Sequence, residues 1–352
     1  MAPLLAAAVA FVLGFALISA DASSSDPLAG PGRALAGAHD DTTSPFNLVD
    51  VPALIRHRYD GHALRRTRVL ERTATTERWA ITYRGDGLRL TGTLALPRTP
   101  GRHPLVVALH GWIPIDRYVR GAGLRREESR LLARGFAVLH PDYRNFAGSD
   151  RETGRAVAHP IGYPADVLNA VVALRRARVP GVDTTRVALL GRSMGGGVAM
   201  QVAAARPSWF SAVVLYSPIA ADATADYNRW VAGNPALRDR VRRAYGTPAT
   251  RPDLWRRTSV ANYLSRITAP VRIHHGTADP ICPEQWSVNT AGLLRSAGVD
   301  VRLRTYAGEP HRFLRQWPVF MARASRFLSV ELAPPTPLSW PSGTVELPLR
   351  HR

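Results

Sequence analysis

The segment Gly191-Arg192-Ser193-Met194-Gly195 constrains this chain more than any other. It follows the apolar run Val187 to Leu190, which reads as a short buried strand, and precedes Met194 to Ala205, which reads as a helix. A chain that passes from strand to helix through so tight a turn needs small residues there, because side chains would clash with neighbouring backbone. Such a turn lifts the Ser193 hydroxyl above the C-terminal edge of a sheet. It also aims the Met194 N–H and the N-terminus of the helix at any negative charge that develops nearby. Short Gly/Ser motifs are common, so the flanking strand and helix are what make this one a nucleophile elbow.

The order of elements around the turn fixes the fold class. Trp79 to Tyr83 and Leu88 to Leu96 read as an antiparallel pair around Gly85-Asp86-Gly87. Strands are then expected at Leu105–Leu109, Phe136–Leu139, Val187–Leu190, Ala212–Leu215, Val271–His275 and Val301–Tyr306. Helices are expected at Arg125–Arg134, Ala165–Arg178, Glu284–Ser296 and Val319–Val330. Strands alternating with helices imply an α/β protein, with a mainly parallel sheet covered on both faces. Chemistry in such sheets collects at the C-terminal strand ends. Residues 219–270 break the rhythm. They carry Tyr227, Trp230, Tyr245, Trp255 and Tyr263, with nine arginines against four aspartates. They read as a helical, cap-like insertion whose aromatics either wall a pocket or pack the insertion to the body.

A serine hydroxyl needs a base, and the base needs an orienting acid. Asp279 lies just past the strand Val271–His275, and His311 lies in the loop after Val301–Tyr306. That is the Ser, Asp, His order of this class of sheet enzyme. Asp222 and Asp226, after the preceding strand, are the alternative acid positions. Glu309 is too close to His311 in sequence to be the obvious orienter. His274 and His275 fall within a strand and read as core or sheet-edge packing residues. The oxyanion needs two preorganised donors. The Met194 amide is one, and the Trp112 amide, in the loop after Leu105–Leu109, is the second. His110 reads as a fixing residue for that loop. Cys282 reads as packing and not as a second nucleophile.

The chain has 352 residues, enough for one large core. Its formal net charge is +19, and because it contains no lysine all 46 basic residues are arginine. They are dispersed and accompany no nucleic-acid-binding motif, so they read as a solvated basic surface with no specific nucleic-acid partner. The single cysteine excludes an intrachain disulfide. Residues 1–22 are apolar up to Ile18 and end in the small residues Ala20 and Ala22. They read as a secretory signal, or as an uncleaved membrane anchor, which places the protein outside the cell. Residues 23–75 read as a lead-in, 76–331 as the catalytic domain and 332–352 as a Pro-rich tail.

Taken together, His110-Gly111, Asp142-Tyr143-Arg144 with Gly148-Ser149, Gly191 to Gly196, Gly276 to Asp279 and Glu309-Pro310-His311 resemble the catalytic domain of the prolyl oligopeptidase group. That group shades into dienelactone hydrolase-like and acetyl-ester esterases within the α/β-hydrolase superfamily. The resemblance covers roughly Glu77 to Leu328. It implies an α/β-hydrolase fold, with Ser193, Asp279 and His311 as nucleophile, acid and base. It also implies acyl transfer to water without metal or cofactor, on a small ester or a short peptide. Two departures stand out. Trp112 replaces the second small residue of a His-Gly-Gly loop, and the segment before the regular pattern is too short for the β-propeller of the oligopeptidases. The expectation is therefore a carboxylic-ester hydrolase first and a peptidase or aminoacyl amidase second. A non-catalytic binding protein on this fold is the third reading. The oligomeric state is not legible.

Overall fold

Apolar side chains on successive strand residues point to opposite faces, and here both faces are filled. Val187 and Leu189 enter one core with Leu105, Val107 and Leu109, while Ala188 and Leu190 enter another with Val106 and Ala108. The computed structural model describes residues 49–151 and 162–334. The signal or anchor reading of residues 1–22 and the tail from residue 335 lie outside the described residues.

Nine strands form one sheet: β1 (His62–Arg72), β2 (Thr76–Gly85), β3 (Leu88–Pro97), β4 (His103–Leu109), β5 (Ala137–Pro141), β6 (Val182–Arg192), β7 (Ala212–Tyr216), β8 (Val271–Gly276) and β9 (Val301–Tyr306). Their order is β1-β2-β3-β5-β4-β6-β7-β8-β9. β1, β2 and β3 are antiparallel to their neighbours, as is the β3–β5 pair; from β5 through β9 every pairing is parallel. The helices are α1 (Val51–Arg56), α2 (Arg125–Leu132), α3 (Gly162–Ala177), α4 (Met194–Ala205), α5 (Ala223–Trp230), α6 (Pro235–Tyr245), α7 (Pro252–Thr258), α8 (Glu284–Ser296) and α9 (Trp317–Glu331). One core holds residues of α1, α3, α4 and α8, including Leu54, Leu168, Val198 and Leu294. The other holds Leu131 of α2 with Phe320 and Leu328 of α9. This is the α/β-hydrolase architecture with helices on both faces.

One boundary differs from the expectation. The stretch assigned to a lead-in up to residue 75 contains α1 and the whole of β1, which pairs with β2 from His62↔Arg84 to Arg72↔Glu77. β1 is an edge strand, largely exposed and rich in arginine, and its register is interrupted three times. It therefore lacks the apolar alternation by which a strand is recognised.

The insertion after β7 is helical. α5, α6 and α7 gather a small core of their own from Tyr227, Val231, Leu237, Val241 and Trp255. The Tyr227 and Trp255 rings meet edge-on at 4.9 Å. Tyr227 and Trp255 thus pack the helices of the insertion against one another, a role outside the two expected of them. α5 is fastened to the body through Arg229, which donates to the carbonyl of Pro280 at 2.6 Å.

The register brings the site together. Leu109 pairs with Gly191, Arg192 with Tyr216, Tyr216 with His274, and Gly276 with Tyr306. The loops leaving β4, β6, β8 and β9 therefore emerge along one edge of the sheet.

Candidate active site

Ser193 sits between β6 and α4 with φ +56° and ψ −122°, a backbone conformation that non-glycine residues avoid. The neighbouring glycines make the turn possible. A Cβ on Gly191 would stand 2.1 Å from the Gly195 carbonyl oxygen, and one on Gly195 would stand 2.0 Å from that of Leu109. The turn is tied down by the Ser193 N–H, which donates to Tyr216 O at 3.0 Å, and by the N–H groups of Gly196 and Gly197, which both donate to Ser193 O. The Met194 and Trp112 N–H groups make no hydrogen bond among the described residues. Gly111 approaches the elbow so closely that a Cβ there would lie 3.1 Å from the Ser193 Cβ. Trp112, next in sequence, is 36% exposed at the surface of this loop.

Asp279 and His311, 32 residues apart, meet in space. His311 Nδ1 lies 2.8 Å from Asp279 Oδ2. The aspartate side chain is fully buried, and that of the histidine keeps 12% of its surface exposed. Two backbone donors, Ile281 N at 2.8 Å and Cys282 N at 3.0 Å, occupy the other oxygen, Asp279 Oδ1. Burial works to raise the Asp279 carboxyl. Hydrogen bonds from His275 and His311, the charge of His311 and the Ile281 N–H outweigh it and hold the group well below the usual carboxylate range. Asp279 is therefore ionised at any pH near neutral.

His275, expected in the core, has a second role that the strand reading missed. Its Nε2 is 2.9 Å from Cys282 O and 3.3 Å from Asp279 Oδ2, and its Nδ1 is 2.6 Å from Ser287 Oγ. A ring with its proton on Nε2 satisfies all three, accepting from the Ser287 hydroxyl and donating toward the acid loop. The signal was present: His275 and Asp279 are four residues apart around the turn that ends β8. His274 faces the other core, with Nδ1 2.8 Å from Tyr306 Oη, and burial pushes it down to about 3.

The alternative acids serve elsewhere. Asp222 caps α5 through Thr224 N at 2.9 Å and accepts from Ser259 Oγ. Asp226 is buried against Ala220 N, and burial drives its carboxyl well above the usual range. Glu309 holds the loop beyond His311, accepting from the N–H groups of Leu314 and Gln316.

Asp142 anchors the loop after β4. Fully buried, it accepts from Tyr118 Oη and Gly121 N, both at 2.8 Å, and from Thr91 Oγ1 at 2.6 Å. His110 stands at the start of the loop, with Nδ1 2.7 Å from Gly111 O and its ring stacked on Tyr143 at 4.3 Å. Burial pushes His110 down to about 3, so it is neutral and fixes the loop by packing and hydrogen bonding. Cys282, expected to pack, is buried, and its backbone N–H serves the acid by donating to Asp279 Oδ1. Burial, together with Asp279 and Asp226, pushes its thiol well up, so it is protonated. Among the described residues no cluster of three metal-ligating side chains occurs, and no helix is long and apolar enough to cross a membrane.

The model of the prolyl oligopeptidase family matches residues 124–331, which carry the elbow and both loops. The chain belongs to the prolyl oligopeptidase family. It is therefore a serine hydrolase. The uncharacterized peptidase YtmA of Bacillus subtilis strain 168 is 27% identical over 245 residues, covering 67% of this chain and 86% of that protein. The acylamino-acid-releasing enzyme of Rattus norvegicus is 26% identical over 217 residues, which is 59% of this chain and 28% of that protein's length. Acetyl xylan esterase 1 from Thermoanaerobacterium sp. JW/SL YS485 superposes with a TM-score of 0.59 at 18% identity, over 82% of this chain and 96% of that one. An acylaminoacyl peptidase of Pyrococcus horikoshii superposes with a TM-score of 0.60 at 19% identity, over 73% of this chain and 42% of that one. Both structures share the fold.

Proposed function

We propose that this hydrolase cleaves carboxylic esters of small or medium acyl groups, with Ser193 as nucleophile, His311 as base and Asp279 as orienting acid. The observation that carries the reading is the 2.8 Å pairing of His311 Nδ1 with Asp279 Oδ2, at the same sheet edge as the strained serine turn. With Nδ1–H donated to Asp279, the free Nε2 of His311 accepts the proton from the Ser193 hydroxyl as it attacks the carbonyl carbon. The oxyanion is received by the Met194 and Trp112 N–H groups, each contributing about 3 kcal/mol to the transition state. His311 then returns the proton to the leaving oxygen. Water, activated by the same histidine, releases the acyl group and regenerates the serine. No metal or organic cofactor enters these steps.

The ester reading draws support from the acetyl xylan esterase, whose chain is matched over 96% of its length. The second reading, a serine peptidase or aminoacyl amidase, draws its support from the family match itself and from the Bacillus relative described as a peptidase. The apolar segment at residues 1–22 supports action outside the cell, after export or on a membrane anchor. The test is a fluorophosphonate probe, followed by a panel of short-chain esters beside aminoacyl and prolyl amides. The expected result is labelling that vanishes in Ser193→Ala and ester turnover above amide turnover. Amide turnover far above ester turnover would reverse the substrate class, and an unlabelled wild type would remove the hydrolytic assignment of Ser193.

A further inference from the structure

Arg192, the residue before the nucleophile, is only 7% exposed, yet its guanidinium forms no ion pair or hydrogen bond among the described residues, and its Nε is buried without a partner. A buried guanidinium without an acceptor is unusual, because desolvating a charge is costly unless another group repays it. Its position is specific. Nε lies 3.7 Å from where a Cβ of Gly111 would stand, and that same point is 3.1 Å from the Ser193 Cβ. Nη2 lies 3.8 Å from the corresponding point on Gly123, at the far end of the same loop. The guanidinium thus lies under the loop expected to hold the reacting carbonyl oxygen.

The surrounding charge is positive. Glu127 and Tyr216 favour the protonated guanidinium, while Arg312 and Arg126 oppose it. Glu127 is already engaged: its Oε1 accepts from Trp317 Nε1 at 2.7 Å and lies 3.7 Å from Arg126. Arg126 is held in place, donating to Phe313 O at 3.0 Å and lying over the Trp317 ring at 4.4 Å. Arg312 follows the histidine directly, is exposed, and has no acceptor among the described residues. Two further guanidiniums, Arg126 and Arg312, therefore act on Arg192, with Glu127 the one carboxylate among its main charged neighbours.

We propose that Arg192, assisted by Arg312, recognises a carboxylate on the acyl portion of the substrate, so that this enzyme prefers half-esters of short dicarboxylic acids to uncharged esters of the same length. The inference rests on the reading of Ser193 as nucleophile. The acyl side is favoured because the guanidinium belongs to the residue next to the nucleophile and lies beside Gly111, on the side where the acyl-enzyme carbonyl is held. An arginine fork matches a carboxylate with two parallel hydrogen bonds, and a charge-assisted pair in a dry site discriminates by roughly ten- to hundredfold.

The experiment compares kcat/KM for monomethyl succinate with that for methyl pentanoate by pH-stat titration. It also compares 4-acetoxybenzoate with phenyl acetate, which moves the charge to the leaving group. Wild type is expected to favour monomethyl succinate by at least tenfold and to show no such preference in the second pair. In Arg192→Gln the succinate preference should collapse toward unity, Arg192→Lys should restore part of it, and Arg312→Gln should reduce it. A preference confined to the leaving-group pair, or one unchanged in Arg192→Gln, would overturn the proposal. A second readout is independent of turnover. Monomethyl succinate should raise the melting temperature of Ser193→Ala above the level given by methyl pentanoate at equal ionic strength, and adding Arg192→Gln should abolish the difference. Equal effects of the two esters overturn the recognition site. Failure of wild type to hydrolyse any ester, with the monomethyl succinate effect intact, overturns the ester reading and leaves the anion site standing.

Discussion

His275 reaches the same oxygen of Asp279 as His311 does, its Nε2 3.3 Å from the Oδ2 that His311 Nδ1 meets at 2.8 Å. Two histidines thus converge on the acid. Replacing His275 by alanine removes one donor to a buried carboxylate and frees Ser287 Oγ as well. A hydrogen bond to a charged group is worth about 1.5–3 kcal/mol. The expected result for His275→Ala is a fall in kcat of roughly tenfold or more with KM little changed, because the residue acts through the aspartate. His275→Gln, which keeps a donor, should recover part of the rate. A KM effect with unchanged kcat would show that the contact has no bearing on the acid.

The glycines of the elbow have no room to change. A Cβ at Gly195 would stand 2.0 Å from Leu109 O, and that atom belongs to backbone in the middle of the sheet. Gly195→Ala must therefore push β4 away from β6. The expected cost is roughly 2–4 kcal/mol of stability, by analogy with overpacked cores. Gly292→Ala, where nothing lies within 4 Å of the added Cβ, should leave stability within about 1 kcal/mol or raise it through helix propensity. Urea denaturation of both variants checks the contrast; equal stability would mean that the turn relaxes freely.

The loop after β4 depends on Asp142. Tyr118→Phe deletes the hydroxyl that donates to Asp142 Oδ1 at 2.8 Å while leaving Gly121 N on the same oxygen. The structure should lose about 1–2 kcal/mol of stability. Catalysis should lose more than binding, because this loop carries the Trp112 N–H. A KM rise with kcat preserved would separate the loop from the oxyanion.

How much of this was legible depended on the range of the interactions. Ser193 lies in a local pattern, strand then turn then helix, and the elements holding Asp279 and His311 follow it in a fixed order. β1 was not legible, because an exposed edge strand of arginines carries no apolar alternation. The hub at Asp142 was not legible either. Its partners Thr91, Tyr118 and Gly121 come from β3 and a loop, and only the folded sheet brings them together.

Stability should fall with acid through two buried histidines. His110 and His274 are each pushed from an ordinary value near 6.5 down to about 3 by burial. Above pH 6.5 both are neutral in the folded and unfolded chain, and their contribution is fully present. As pH falls below 6.5 the unfolded chain takes up protons that the folded one refuses, until the folded values near 3 are reached. Each histidine then removes about 1.4 kcal/mol per pH unit. Denaturant midpoints measured between pH 7.5 and 4.5 should show this slope, and His274→Gln should flatten it by about half. An unchanged slope in that variant would place the acid sensitivity elsewhere.

Cys282 offers the sharpest check on which side chain is the nucleophile. It lies three residues past Asp279, in the loop that serves the acid, so a sulfur attack is a local rival to the hydroxyl. Burial and the nearby Asp279 and Asp226 keep the thiol protonated, and a thiol is a far weaker nucleophile than its thiolate. Cys282→Ala removes the sulfur but leaves the backbone donor of residue 282 on Asp279. Activity should stay within roughly tenfold of wild type, whereas Ser193→Ala should lose at least a thousandfold. Thiol reagents should leave the folded enzyme active, because the sulfur is buried. Residual activity in Ser193→Ala that iodoacetamide abolishes would instead identify the cysteine as the attacking group.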